Sequence, residues 1–423
     1  MSGNNPNVNN NDNNINGLDL GPNVRPRAPR DGVQIYIDAN GKTFTGWLES
    51  TIERSLENLA GTFTIPVSQD PTQPPSVVRG DAVVVRIGST VLVTGYVLAT
   101  GGAVSRSDSG LSITGRDRTG DLVSCSAIHQ GGMWASSSIK KIAADLCKPF
   151  GIDVVVAPGT DLGAAITGFK LEHGETVANA LARAARLRGV LVTTDGKGKL
   201  LITKAGKTRF EGAVVVGENV IKVDDIGSDA ERYSHYIAVG QGGGVGALKI
   251  LSVNATATAN PSPAGTTGTT ASKGGNRKNP GHKTVVVDPE VRRYLPLIVK
   301  AEGHSSPAEL EQLATHTMRV KRGHSVGFKY LIEGWTWRGK PWPVNARVAV
   351  YDRANGFDGQ EMLICSVKSS VTRDKGDTTE LLLRPIDAYD TLPIRAIKGK
   401  GTGNGTGKIL NVPAAPKPAV VKP

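Results

Sequence analysis

Cysteine is nearly missing: Cys125, Cys147 and Cys365 are the only three in 423 residues. They are too few and too scattered for a disulfide framework, so they read as small buried or half-buried side chains in a reducing compartment. Aromatic residues supply only 5% of the chain, which points to cores of Val, Ile, Leu and Ala. No apolar run approaches the roughly 18–20 residues of a membrane span. The first residues, MSGNNPNVNNNDNNINGLDL, lack a charged-then-apolar signal pattern. Neither membrane insertion nor a secretory leader is expected.

Catalytic signatures are missing too. There is no Cys-x-x-Cys and no His-Glu-x-x-His, and the seven histidines are scattered, so no metal is expected. No Gly-x-Ser-x-Gly elbow occurs. QGGGVG (241–246) follows a strand pattern but leads into low-complexity sequence. GTGNGTGKI (401–409) has Thr402 where a phosphate loop needs Gly, and Ile409 where it needs Ser or Thr. No cofactor and no catalytic residue is assigned. Cys125 and His129, four apart, fit a nucleophile and base, or more simply a packed Cys beside a surface His.

Acidic residues are absent from two stretches, and this locates the net charge of +12. Residues 251–283 carry Lys273, Arg277, Lys278 and Lys283 with no acid. Residues 396–423 carry Lys398, Lys400, Lys408, Lys417 and Lys422, again with no acid. Most of the excess therefore lies in segments rich in Gly, Pro, Ser and Thr. The rest is close to balance, which argues against a dedicated nucleic-acid face.

What is present is strand pattern on both sides of a helical unit. VQIYIDANGKTFTGW alternates Val33, Ile35 and Ile37 and turns at Asn40-Gly41, a hairpin dipeptide. AVVVRIGSTVLVTGYV (82–97) gives two more apolar runs. In STIERSLENLAGTF, Ile52, Leu56 and Leu59 have helical spacing, and strand alternation fits equally well. IKKIAADLCKPFG predicts a helix burying Ile139, Ile142, Ala143, Leu146 and Cys147. ETVANALARAARLRG predicts a second, with Val177, Ala180, Leu181, Ala184 and Leu187 inward and Gly189 at its end. A hairpin follows around Asp195-Gly196. Ser306, Pro307 and Glu309 open a helix over 306–322, and further strands close the body.

The fold class expected is multidomain α+β, with two β-barrel-like domains flanking an α+β unit. The divisions are an arm over 1–31, a first β domain over 32–128 and an α+β domain over 129–210. A second β domain follows over 211–394, with a flexible insertion at 251–283, and a basic tail over 395–423. In TGRDRTGDLVSCSAIHQGGMW (114–134), Arg116, Asp117, Arg118 and Asp121 are expected to pair across strands and close an exposed sheet edge. Trp134 anchors the start of the α+β unit. Trp335 and Trp337 are placed on one strand face with Trp342 across a turn, as core beneath a hairpin, a carbohydrate platform or an interface. Arg116, Asp117, Asp121, Trp134, Trp335 and Trp342 are the candidate interface residues.

GRDRTGDLVSCSAIHQGGMW with IKKIAADLCKPFGI resembles the baseplate hub proteins of Mu-like contractile-tailed phages, the late-control D or protein P group. The likeness continues through FKLEHGETVANALARAARLRGVLVTT, RYLPLIV, EGWTWRGKPWPVNARVAV and LLLRPIDAYDTLP, in order over about 33–393. It implies strand rather than helix for 43–65. It also implies a structural homotrimer in the virion tail, assembled in the host cytoplasm, whose three pairs of barrels adapt a sixfold tube to a threefold spike. The implied partners are the central spike, the tail tube or a tube adaptor, baseplate wedge proteins and a tape-measure protein, with DNA only in transit. A tail-associated cell-wall hydrolase, or the hub of a phage-derived secretion or bacteriocin particle, are the alternatives. The arm, the insertion and the tail have no counterpart in the likeness.

Overall fold

The computed structural model describes residues 34–45, 50–68, 76–104, 109–240, 283–301, 307–372 and 376–390. The arm over 1–31, Ser306, the tail over 395–423 and all of the insertion but Lys283 lie outside them.

The first β unit contains β1 (Ile35–Ala39), β2 (Lys42–Phe44), β3 (Ser50–Ser55), β4 (Thr62–Ser68), β5 (Ala82–Ile87), β6 (Thr90–Val104) and β7 (Ser109–Asp117). The β1–β2 hairpin turns where expected: Asn40 and Gly41 have φ of 51° and 72°, the left-handed pair that a two-residue turn requires. Alternation in β1 buries Ile35, Ile37 and Ala39, which join Phe63, Ile65, Val83, Val85 and Val93 in one core. The stretch around Ile52 is strand, as the resemblance implies, with bends over 56–60.

The α+β unit comes next: α1 (Gly120–Ser124), β8 (Met133–Ser137), α2 (Ile139–Cys147), β9 (Val154–Val156), β10 (Ile166–Lys170), α3 (Val177–Arg188), β11 (Leu191–Thr194) and β12 (Leu200–Thr203). Ser138 caps α2 by accepting from the Lys141 N–H, and Thr176 caps α3 by accepting from Asn179. All five α2 residues expected inward are buried, as are Val177, Ala180, Leu181 and Ala184 of α3. Leu187 is a correction: it is 37% exposed, and Arg188 is buried in the last turn instead. Its guanidinium donates to the Ala165 carbonyl at 2.7 Å. Leu122 is also in this core, so the core recruits side chains before residue 129.

The remaining elements are β13 (Thr208–Val215), β14 (Val220–Asp225), β15 (His235–Val239), β16 (Lys283–Val287), β17 (Pro296–Lys300) and α4 (Pro307–Ser325). After α4 come β18 (Phe328–Glu333), β19 (Thr336–Trp337), β20 (Lys340–Pro341), β21 (Ala346–Asp352), β22 (Phe357–Thr372) and β23 (Gly376–Arg384). Lys283, assigned from sequence to the insertion, opens β16. The strands β15 to β17 form a small sheet whose Tyr236 and Ala238 pack on Leu310 and Ala314 of α4. α4 runs past 322 to Ser325. Gly323 does not end it; a Cβ there would stand 2.4 Å from the Ala388 nitrogen, so only glycine lets the 3-10 turn Ile386–Tyr389 dock on the helix.

The two β units share a sheet. Its path runs β14-β18-β23-β22-β3-β4-β7-β6-β5-β1-β2, with β21 and β13 branching from β22. β22 is paired to β21 over Phe357–Leu363. Past a bulge between Ile364 and Ser366, its next residues pair with β3, from Ser366↔Ser55 to Val371↔Ser50. The molecule is thus strand-rich and multi-sheeted, and among the described residues neither β unit forms a closed barrel.

Candidate functional site

Arg116, Asp117, Arg118 and Asp121 do not close a sheet edge. β7 lies between β4 and β6, inside the sheet, and none of the four forms an ion pair among the described residues. Arg116 donates to Ser124 Oγ at 3.1 Å, and Arg118 to the Gly151 carbonyl at 3.3 Å. Asp121 sits half-buried at the start of α1. Asp117 is 1% exposed. Its Oδ1 accepts from the N–H and hydroxyl of Thr119, both at 3.1 Å, and its Oδ2 from the Thr194 hydroxyl at 3.0 Å. Burial holds this carboxyl above the usual range, and the three hydrogen bonds oppose that shift. Asp117 therefore joins the first β unit to the β11–β12 hairpin of the α+β unit. The tip of that hairpin adds a second tie, with Thr94 Oγ1 donating to the Gly196 carbonyl at 3.2 Å.

The tryptophans are internal. Trp134 is buried, donates to Asp145 Oδ2 at 3.0 Å, and stacks under the His129 ring at 4.0 Å. Trp335 and Trp337 part ways rather than sharing a face. Trp335 enters the first β unit's core and donates to the Ser370 carbonyl at 2.8 Å; Trp337 and Trp342 enter the second unit's core. Of the three readings the sequence left for this cluster, core packing is the one observed, and the carbohydrate platform is not. Trp335 serves an interface inside the chain, between its two β units. From β3, Arg54 adds to that joint by donating to the Trp342 carbonyl at 2.7 Å, and burial brings its guanidinium down to about 10.

No nucleophilic pair emerges. Cys125 is exposed, against the expectation that all three cysteines are covered, while His129 is engaged on Trp134. Burial pushes the Cys147 and Cys365 thiols up to about 12, which leaves them protonated at neutral pH. Among the described residues no three His, Cys, Asp or Glu side chains gather as a metal site.

One cleft does stand out, where three parts of the chain meet. It encloses about 730 Å³ between the β3–β4 connection (Leu56–Ala60), α3 and the end of the described chain, with Val123 also in the wall. Glu57 accepts from the Tyr389 hydroxyl at 2.6 Å across one rim. His316 reaches the Asp390 carbonyl at 2.9 Å across another. No sequence signal pointed to it, because Glu57 and Tyr389 on its rim are 332 residues apart in the chain.

Two family models match. Residues 34–117 fit the N-terminal part of the Mu phage baseplate assembly protein GpP-like family, and residues 119–204 fit the second domain of the baseplate hub protein gp44-like family. The baseplate hub protein gp44 of Escherichia phage Mu is 28% identical over 386 residues, covering 89% of this chain and 94% of the relative. The crystal structure of a 43 kDa tail protein of prophage MuSo2 from Shewanella oneidensis superposes with a TM-score of 0.69 at 30% identity, covering 85% of this chain and 99% of that one. The chain belongs to the baseplate hub family of Mu-like phages. A tail protein from Neisseria meningitidis shares the fold at a TM-score of 0.67 and 20% identity, covering 85% and 99% of the two chains. This hub protein is a structural component of the virion tail rather than an enzyme. No helix among its described residues is long and apolar enough to cross a membrane.

Proposed function

We propose that this hub protein is the symmetry adaptor of its baseplate. Three copies form a ring, and each contributes two barrel-like β units, so the ring offers six similar surfaces to a tail tube and three to a central spike. An axial channel remains open for DNA. The observation that carries this reading is the β3–β22 ladder, which sets the two β units of one chain side by side in a fixed register. The division into a first β domain over 32–128, an α+β domain over 129–210 and a second β domain over 211–394 belongs to the same proposal.

Subunit contacts in such a ring bury roughly 2,000 Å² or more, as in other obligate oligomers. Arg116 and Asp121, which keep part of their surface in the single chain, are the sequence-derived candidates for those contacts. The spike, a tube or tube-adaptor protein, wedge proteins and a tape-measure protein are the partners proposed. Solution mass with and without the spike protein tests the reading. Three copies per particle are expected. A chain that stays single at high concentration, even beside its spike, overturns it.

A further inference from the structure

The two β units repeat one another strand by strand. The run β3-β4-β7-β6-β5 in the first is matched by β14-β18-β23-β22-β21 in the second, and every neighbouring pair is antiparallel in both. The long strands β6 and β22 each carry two bulges, at Leu92 and Leu98 in one and at Gly359 and Cys365 in the other, with the same six-residue spacing. Just before the second bulge, the Val97 carbonyl accepts from the Gly80 N–H at 2.8 Å and the Ile364 carbonyl from the Asn345 N–H at 2.9 Å. Gly80 and Asn345 both have positive φ. Bulges set how a strand bends and twists, so the two frameworks share a shape.

The match breaks at one place. Beyond Cys365, β22 gives its second edge to β3; Cys365 is buried there, and its carbonyl accepts from the Leu56 N–H at 2.8 Å. Beyond Leu98, β6 pairs with β7 alone among the described residues, and Leu98 is 48% exposed. The counterpart of β3 is β14, which pairs with β18 and, apart from one bridge at Val220, has no second strand beside it among the described residues. Ile226 and Ser228 at its end turn their N–H groups inward, to the Gly327 and Ser325 carbonyls, so those of Gly227 and Asp229 turn outward. Asp225 Oδ1 accepts the Gly227 N–H at 2.8 Å, a local bond that a neighbouring strand would replace. Each open edge is a template for another strand.

We propose that β6 beyond Leu98 pairs with β14 of a second copy, repeating between chains the ladder that β22 and β3 form within one. Joining these edges inside one chain would close two units on themselves, whereas joining them between chains extends the same contact head to tail, and such a contact closes into a ring. The proposal rests on the three-copy reading above and supplies its subunit contact. The register carries over through matched pairs: Phe63↔Gly115 and Thr51↔Thr64 correspond to Phe328↔Leu383 and Asp224↔Lys329. Ser366↔Ser55 of the existing ladder thus becomes Ala99 opposite Ser228 of the next copy, and Val371↔Ser50 becomes Val104 opposite Val223. The exposed Leu98 takes the covered place that Cys365 has in its own ladder.

The test uses full-length protein carrying Cys125→Ser, Ala99→Cys and Ser228→Cys, oxidised and run on a non-reducing gel beside a measurement of solution mass. Cys147 and Cys365 are buried, while Ala99 and Ser228 are exposed, so the new thiols disturb no core. Directly opposed residues of antiparallel strands lie about 4.5–5.5 Å apart, within disulfide reach. Chains bridged in threes are expected. Ala99→Cys with Asp224→Cys, which is out of register by about 13 Å, is expected to bridge at least tenfold less. Three copies per particle without a bridge, equal bridging by both pairs, or a bridge within one chain overturns this contact and leaves the ring standing. A chain that stays single, even beside its spike, overturns both. If the paired variant does not fold, Thr100→Pro decides: Thr100 stands opposite Gly227, so its N–H faces the next copy. Assembly of that variant is expected to need at least tenfold more protein, and unchanged assembly overturns the contact.

Discussion

At β3 the first β unit continues into the second through consecutive backbone pairs, Ser366↔Ser55 to Val371↔Ser50, and receives Trp335 into its core. At the end of β7 the same unit meets the α+β unit through one buried carboxylate and two threonines. The first seam leaves no freedom, because a slip of one residue would turn every side chain to the wrong face. The second depends on polar groups that must all stay paired. A hub that keeps its β units in register while adjusting its α+β unit would need this division.

The largest expected effect is on the ladder seam. Trp335→Ala removes an indole that is 7% exposed and should cost about 3–5 kcal/mol. Urea unfolding followed by the remaining tryptophans checks this, and the loss should be independent of pH. A smaller effect is expected at the polar seam. Asp117→Ala strands the Thr119 N–H and should cost about 1–3 kcal/mol. A loss at Asp117 as large as that at Trp335 would erase the contrast between the seams.

Asp117→Asn sharpens the contrast further. Because burial raises this carboxyl above its unfolded value, the folded state binds the proton more tightly. The contribution is therefore most favourable below the unfolded value, and stability is lost as pH rises from there through the folded value. Thermal unfolding from pH 3 to 8 should show that decline in the parent and not in Asp117→Asn, whose amide can donate to Thr194. A parent without it would mean that the hydrogen bonds outweigh burial. A change of opposite sign is expected far from both seams. Val239 and Lys283 are paired neighbours in the β15–β16 ladder, so replacing residues 240–282 by an Asn-Gly turn should raise stability by roughly 2 kcal/mol, since the shorter loop costs less entropy to close. A loss would show that the insertion packs on the body.

Local patterns carry much of the fold. Asn40-Gly41, the apolar faces of α2 and α3, and the serine run that starts α2 are short-range features governed by backbone geometry, and all are readable in the sequence. Leu187 is misplaced by periodicity because a helical repeat ignores what a terminal turn meets. The β3–β22 ladder joins segments about 310 residues apart by main-chain hydrogen bonds, which leave no mark on residue type. Trp335 and Trp337 differ in fate for the same reason: two residues apart, they face cores that only the assembled sheet creates. The charge pattern around Asp117 suggests an exposed edge, since nothing local reveals that β4 and β6 flank β7.

β22 stays paired with β23 of its own unit to its end, while past the bulge at Cys365 its other edge passes from β21 to β3 of the first unit. A pull between the two β units along the strand direction is thus borne by the β3–β22 hydrogen bonds together, in shear rather than unzipped singly. A strand flanked by both units in this way spreads a sudden load on either one over the whole sheet.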